Sequence, residues 1–334
     1  MNQYRSAGLM LLPIALAVYV SAAPAGRPVH SIPLPKGNIL RFIVVGDAGT
    51  GEAHLRAGVA SIGRRMNVNA ILLVGDNVYP CGVKSVNDPQ WSKVTRNFVE
   101  SGLPVYPVLG NHDYGDPSGK PETTTTCTDV SPGSQVRETG HIPQWIFPAR
   151  NYALRSPLID IIMMDTQPIA SAWAAPFLGS ETASSEVEWV KSALSRSKGT
   201  WRIVAGHHTI FSSGIHGRTN GHNQRNLRTS LLPLMKAANV DMYMCGHDHD
   251  AELLGNLDHR AGDPVFLVSG AGATSMEMAQ RTAAGEPPTV FPSFPARPLV
   301  GFALLEVRPA TMKITFYDGM GVKRSDTYTI THAN

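Results

Sequence analysis

Charge is scarce in this sequence: 16% of residues are Asp, Glu, Lys or Arg, against 43% hydrophobic. That balance excludes a disordered chain and leaves enough apolar surface for a sizeable core. The formal net charge is only +3 and no Lys/Arg cluster stands out, so no nucleic-acid-binding surface is evident. Cysteine is nearly missing, at three in 334 residues, and no C-x-x-C pair occurs. A disulfide scaffold and a thiolate zinc site are thereby excluded. Neither a G-x-S-x-G elbow nor an H-E-x-x-H pair is found, and "GDAGTGEA" lacks the Lys-Ser/Thr that a P-loop requires after Gly51. No N-x-Ser/Thr sequon is present, which sits easily with a bacterial exporter. Long apolar runs are short supply too. The stretch from about Leu9 to Val20 contains Pro13 and falls short of the roughly 20 residues that span a bilayer.

What that stretch does have is Arg5 before it and the small residues "SAAPA" after it, the pattern of a secretory signal. Residues 1–25 are read as that signal, with cleavage after Ala22 or Ala25. No lipid-attachment cysteine follows, so the expectation is a secreted or periplasmic protein without a stable membrane anchor. Export permits one bridge. Cys81 and Cys127 both lie in loop-like sequence and either pair or remain as two thiols, while Cys245 ends an apolar run and reads as a small buried residue.

Short β-rich runs recur, and each ends in a glycine turn carrying Asp, Asn or His. "LRFIVV" (40–45) leads into "GDAG", "AILLV" (70–74) into "GDNVY", and "PVYPVL" (104–109) into "GNHD". "WRIVA" (201–205) leads into "GHH", and "VDMYM" (240–244) into "CGHDH". Helix-period segments alternate with these runs. "EAHLRAGVASIGRRM" sets Leu55, Val59, Ile62 and Met66 on one face, and "SEVEWVKSAL" opens on a capping-box pattern, Ser185 to Glu188. The alternation predicts a largely parallel sheet with helices outside, and ligands bind such sheets beyond the carboxyl ends of the strands. The five polar turns should then share one rim. Runs at 158–165, 264–270, 301–307 and 311–318 read as further strands, the last two as a candidate hairpin. Three stretches lack periodicity, 114–150, 168–183 and 271–298, and are expected to be loops framing a pocket.

A lone Gly-Asp after a strand is ordinarily just a turn, and a lone histidine is ordinarily a packing residue. Five such turns in series are another matter, because together they hold Asp47, Asp76, Asn111, His207, His247 and His249. Carboxylate, amide oxygen and imidazole without thiolate suit hard or borderline ions. His247 and His249, two apart, face the same way in extended chain. Asp76, on the middle turn, is suited to bridge two cations, and paired cations clamp a phosphoryl group and ready a hydroxide. Tyr79 follows Asp76 by three residues. A phenolate is a hard anion that favours trivalent iron. One ion would then take Asp47, Tyr79, His249 and the shared Asp76, a set suited to Fe(III). The other would take Asn111, His207, His247 and Asp76, a mostly neutral set suited to a divalent ion, Fe, Zn or Mn.

The ordered series "GDAG", "GDNVY", "GNHD", "VAGHH" and "GHDH" resembles the purple acid phosphatases of the calcineurin-like metallophosphoesterase superfamily, in particular the small tartrate-resistant type, from about residue 38 to 320. The resemblance implies a metallophosphoesterase domain over 38–331 with an α/β fold, a four-layer αββα sandwich of two mixed β-sheets flanked by helices. Most superfamily members outside the purple group carry a histidine where this chain has Gly49, and they lack the tyrosine; both differences point to the iron-containing subgroup. The resemblance also implies that His112 and His216 contact phosphate and assist the leaving group. His208 is read as a residue behind a ligand or a packing residue, His222 as a solvent-facing loop residue, and Asp113 as the orienter of a neighbouring histidine. The implied activity is exported acid phosphatase, attacking small-molecule or protein phosphate monoesters with a metal-bound hydroxide. A phosphodiesterase or nucleotide hydrolase on the same site is the alternative, and a binding protein that has lost turnover is a third reading.

Overall fold

In four neighbouring strands, alternate residues sort into two separate hydrophobic cores. Ile161 and Met163, Ile203 and Ala205, Met242 and Met244, Val265 and Leu267 join one core. Ile162 and Met164, Val204, Tyr243 and Cys245, Phe266 and Val268 join the other. Side chains alternate across a strand, so a sheet buried on both faces reads as a continuous apolar run. That is why these strands carry so little polar residue.

The computed structural model describes residues 29–115, 127, 129–137, 142–171, 175–219, 221–258, 263–273, 287–292 and 300–332. The expected signal at 1–25 lies outside the described residues, as do parts of the three irregular stretches. The strands are β1 (Ser31–Pro33), β2 (Leu40–Val45), β3 (Ala70–Leu73), β4 (Val105–Pro107), β5 (Tyr152–Arg155), β6 (Ile159–Met163), β7 (Trp201–Ala205), β8 (Met242–Cys245), β9 (Ala251–Leu254), β10 (Val265–Ser269), β11 (Thr289–Pro292), β12 (Gly301–Val307), β13 (Thr311–Asp318) and β14 (Tyr328–Thr331). The helices are α1 (Ala53–Arg65), α2 (Trp91–Phe98), α3 (Pro132–Arg137), α4 (Gln167–Ala170), α5 (Ala175–Leu178), α6 (Ala183–Ser195), α7 (Ile215–Thr219), α8 (Gly221–Ser230) and α9 (Leu232–Ala237).

Two mixed sheets form. One runs β1-β5-β6-β7-β8-β10-β9-β11 and the other β14-β13-β12-β2-β3-β4. The single largely parallel sheet read from strand-helix alternation is therefore corrected to two sheets, in keeping with the implied sandwich. Each has a parallel run, β6-β7-β8-β10 inside the larger sheet and β2-β3-β4 along one side of the smaller, extended by antiparallel partners. The β12–β13 pair is the expected hairpin. One core contains inner-face residues of both sheets together with Leu55, Val59 and Ile62 of α1 and Trp91, Val94 and Phe98 of α2. The other packs the outer face of the eight-stranded sheet against Trp189, Val190, Ala193 and Leu194 of α6, Leu227 of α8 and Met235 of α9.

Several expectations change in detail. β1 precedes residue 38 and pairs in parallel with β5, so the folded unit begins before the expected start. The α6 cap is Thr182, not Ser185: its side chain accepts from the Ser185 N–H, and the Ser185 hydroxyl accepts from the Thr182 N–H. Ser185 is thus the third helical residue of the box rather than its cap. His222 falls within helix α8 rather than in a loop, where buried Gln224, Leu227 and Leu231 recur at helical spacing. Cys81 and Cys127 form a disulfide, and Cys245 is buried and free.

Candidate metal centre

The five glycine turns do meet on one rim, and the rim is shared between the sheets. Asp47 follows β2, Asp76 and Tyr79 follow β3, and Asn111 with His112 follows β4, all from the six-stranded sheet. His207 follows β7 and His247 with His249 follows β8, from the eight-stranded sheet. Asp47, Asp76 and His247 have left-handed φ values of 58°, 53° and 71°. A non-glycine residue held there costs of order 1–3 kcal/mol, and such strain persists where surrounding bonds over-determine it. Those bonds are present. The Asp47 N–H donates to Gly75 O at 2.9 Å, and the His247 N–H donates to Asp47 Oδ2 at 2.9 Å.

All seven expected ligands come together, in two groups joined by Asp76. In the first, Tyr79 Oη lies 3.0 Å from Asp47 Oδ1, 2.9 Å from Asp76 Oδ2 and 3.0 Å from His249 Nε2. In the second, Asn111 Oδ1 lies 2.9 Å from His207 Nε2 and 3.0 Å from His247 Nδ1, and those two nitrogens are 3.3 Å apart. Asp76 turns Oδ2 to the first group and Oδ1 to the second, the latter 3.4 Å from His207 Nε2. Asp47, Asp76 and His207 offer ligand atoms all within 4.8 Å of one another.

Proton counting tests whether this donor set suits cations. His207 Nδ1 donates to Val74 O at 2.9 Å, so in the neutral ring Nε2 carries a lone pair directed at the oxygen of Asn111. Tyr79 has one hydroxyl proton and two carboxylates within reach. In both groups, acceptor atoms crowd around two carboxylates that draw positive charge onto their neighbours, and cations are what such sets hold. The pKa directions show that pull. Burial and then Asp47 and Asp76 push the Tyr79 phenol well above its ordinary range, so phenolate forms there only when a cation replaces the proton. Burial opposes a charged His207, but Asp76 and Asp47 outweigh it and raise the ring to about 10. Burial likewise opposes the Asp76 carboxylate, yet His207 and His112 hold it well below the usual range. The set contains no thiolate.

Around these groups, His112 donates its N–H to Asp76 Oδ1 at 2.9 Å, its Nδ1 lies 2.7 Å from Pro80 O, and its ring packs edge-on against Tyr79. The His216 ring lies 4.2 Å from that of His247, tilted by 30°. Burial lowers the His216 pKa, with Asp248 acting in the opposite sense. His208 is buried behind the ligands, its Nδ1 2.8 Å from Thr166 Oγ1 and its ring 4.6 Å from that of His247.

Asp113 does not orient a histidine. Its buried carboxylate accepts from the N–H groups of Asn77, Val78 and Gly110 and from the side-chain amides of Asn77 and Gln135. It therefore ties the Asp76 turn to the Asn111 turn. Sequence reasoning missed Thr166, whose Oγ1 accepts from the N–H of His207 and of His208. The signal was available, since "MMDT" is another polar turn after a strand, β6. Lys93, whose ammonium donates to Tyr79 O, carried no such signal.

The sequence pattern of the calcineurin-like phosphoesterases matches residues 40–251, which span every one of these turns. The chain belongs to that family. Among calcineurin-like phosphoesterases it is similar to purple acid phosphatase 17 of Arabidopsis thaliana, at 30% identity over 82% of this chain and 79% of that protein. It is also similar to tartrate-resistant acid phosphatase type 5 of Sus scrofa, at 26% identity over 85% and 84% of the two chains. Its fold matches that of GAP50, the anchor in the inner membrane complex of Plasmodium, with TM-score 0.69, 22% identity and coverage of 89% and 90%. This calcineurin-like phosphoesterase is a metal-dependent hydrolase of phosphoric esters, with purple acid phosphatases as its relatives.

Proposed function

We propose that the chain is an exported acid phosphatase that hydrolyses phosphate monoesters at a binuclear centre of Fe(III) and a divalent ion, Fe, Zn or Mn. The observation that carries this reading is the partition of the ligands into two groups that share Asp76. Asp47, Tyr79 and His249 with Asp76 would hold the ferric ion, since two carboxylates and a phenolate offset its charge. Asn111, His207 and His247 with Asp76 would hold the divalent ion. When bound, the cations supply Lewis acidity toward the phosphoryl group and acidify a water molecule.

The protein's own residues do the rest. His112 has Nδ1 committed to the Pro80 carbonyl, which leaves Nε2 for a phosphate oxygen. His216, beside the His247 ring, gives a proton to the departing alkoxide, a role worth roughly 10²–10⁴ in rate. Burial draws the His216 pKa below that of a free imidazole, so the donor form gains as the solution becomes more acidic, in keeping with an acid phosphatase. The Cys81–Cys127 disulfide and the signal-like N-terminal sequence support export. The test is metal analysis joined to a visible spectrum. Protein purified as expressed should contain iron and a second metal and absorb visibly through a tyrosinate-to-iron transition, and Tyr79→Phe should abolish or displace the band. A colourless wild type, or an unchanged band in Tyr79→Phe, would falsify the assignment.

A further inference from the structure

His216 sits at the start of α7, in a segment that hangs from the strand turn bearing the two histidines of the "GHDH" motif. Asp248, between His247 and His249, accepts through Oδ1 from the His216 N–H at 2.8 Å and through Oδ2 from the Gly217 N–H at 3.2 Å. Four residues on, Glu252 accepts from the Ser213 N–H with both oxygens, at 3.1 and 3.0 Å. Asp248 and Glu252 are both buried. The approach is close: a Cβ on Gly214 would come within 2.4 Å of the Asp248 carboxyl carbon. Buried carboxylates that accept backbone N–H groups fix those groups firmly, because charge-assisted bonds in a dry setting are short and strong.

We infer that Asp248, assisted by Glu252, is a positioning residue that holds His216 over the His247 side of the centre at the distance proton transfer to a leaving group needs. This rests on the role given to His216 above. The segment that supplies two ligands thereby also sets the place of the proton donor, and donor and ligands keep register because one short stretch, residues 247–252, bears the ligands and grips the donor's segment.

The consequence is selective. A proton matters greatly to an alkoxide leaving group and little to a nitrophenolate, so misplacing the donor should depress alkyl ester turnover more than aryl ester turnover. In Asp248→Asn the amide still accepts one N–H but opposes the other with its own NH₂. The experiment compares kcat for an alkyl phosphate and for 4-nitrophenyl phosphate in wild type, His216→Ala, Asp248→Asn and the double variant, with bound metal and hydrogen exchange of residues 212–217 measured on each. His216→Ala should lower the alkyl-to-aryl ratio about 100-fold and Asp248→Asn about tenfold. The double variant should be no worse than His216→Ala, as for residues acting through one group. Amides of 212–217 should exchange faster in Asp248→Asn while bound metal stays at the wild-type level. Glu252→Gln, which loosens the same segment at Ser213, should lower the ratio a few-fold and serves if Asp248→Asn folds poorly. Equal losses on both esters in Asp248→Asn, losses that multiply in the double variant, an unchanged ratio in Glu252→Gln, or metal lost from Asp248→Asn would each overturn the positioning role while leaving His216 as the donor. A His216→Ala enzyme that treats both esters alike would instead remove the donor assignment, and this inference with it.

Discussion

At the scale of single residues, Gly49 and Tyr79 are a matched pair. A Cβ on Gly49 would lie 2.5 Å from the Tyr79 backbone nitrogen and 2.8 Å from Val78 main-chain atoms, and backbone gives way less readily than a side-chain tip. A side chain there and the tyrosine turn exclude each other, which is the physical content of the glycine-for-histidine difference noticed in the sequence. Gly49→Ala should therefore destabilise the fold by about 1–3 kcal/mol and weaken the visible band, read by thermal melts and absorbance. Gly221→Ala, where nothing lies within 4 Å, is the control and should leave the melt unchanged or slightly raised.

Asp165 makes a prediction of another kind. Tyr114 donates to it from a buried site also touched by Arg150, and burial pushes the carboxyl from 3.8 up to about 6. A carboxyl whose folded pKa is raised binds more protons folded than unfolded, so its contribution is full below about 3.8 and declines as pH rises toward about 6. The displacement converts to about 3 kcal/mol at most. Asp165→Asn cannot ionise. Denaturant melts at pH 4 and pH 7 should show the variant losing less stability relative to wild type at pH 7 than at pH 4; a gap that stays constant or widens would contradict the raised pKa.

At the scale of elements, the disulfide is the feature with the clearest energetic consequence. Cys81 lies two residues beyond Tyr79, and the bridge joins positions 46 apart in sequence, closing a loop that takes in the first part of the 114–150 stretch. Loop-closure entropy for that length amounts to about 4 kcal/mol in the chain-entropy account. The Cys81→Ser/Cys127→Ser double variant should lose up to that amount in denaturant melts. Wild type treated with reductant should move to the same midpoint, and no movement would show the bridge to be energetically idle.

Elements also show what the sequence made legible. β2, β7, β12 and β13 fall where the apolar runs put them, because such runs bounded by turns are self-announcing. β1, β5, β9, β11 and β14 were not read. They are three or four residues long, and sequences such as "SIP", "AELL" and "YTIT" become strands only because a distant partner pairs with them. Likewise the α6 cap was misread by three residues because Ser185 is a cap-type residue that here occupies the third helical position.

At the scale of the whole molecule, the ligand rim was legible and the division into two sheets was not, from strand pattern alone. Buried parallel strands of the two sheets read alike, and nothing local says that β12 pairs with β2 some 260 residues earlier, as the Arg41 and Glu306 register shows. The expected ligands were readable for the opposite reason: Asp, Asn and His residues recurring directly after apolar strands break the apolar pattern, so they stand out wherever the strands themselves are placed.

The sharing of the rim has one more effect. Asp47, Asp76, Tyr79 and Asn111 ride on one sheet and His207, His247 and His249 on the other, with Ser269 O taking the Gly46 N–H and Ser269 Oγ donating to Val44 O across the seam. Neither slab supplies either proposed ligand group alone. Sliding one past the other would pull both groups out of alignment at once, and by the same linkage an occupied centre would rivet the slabs together, so that the proposed chemistry and the integrity of the sandwich would stand or fail as one.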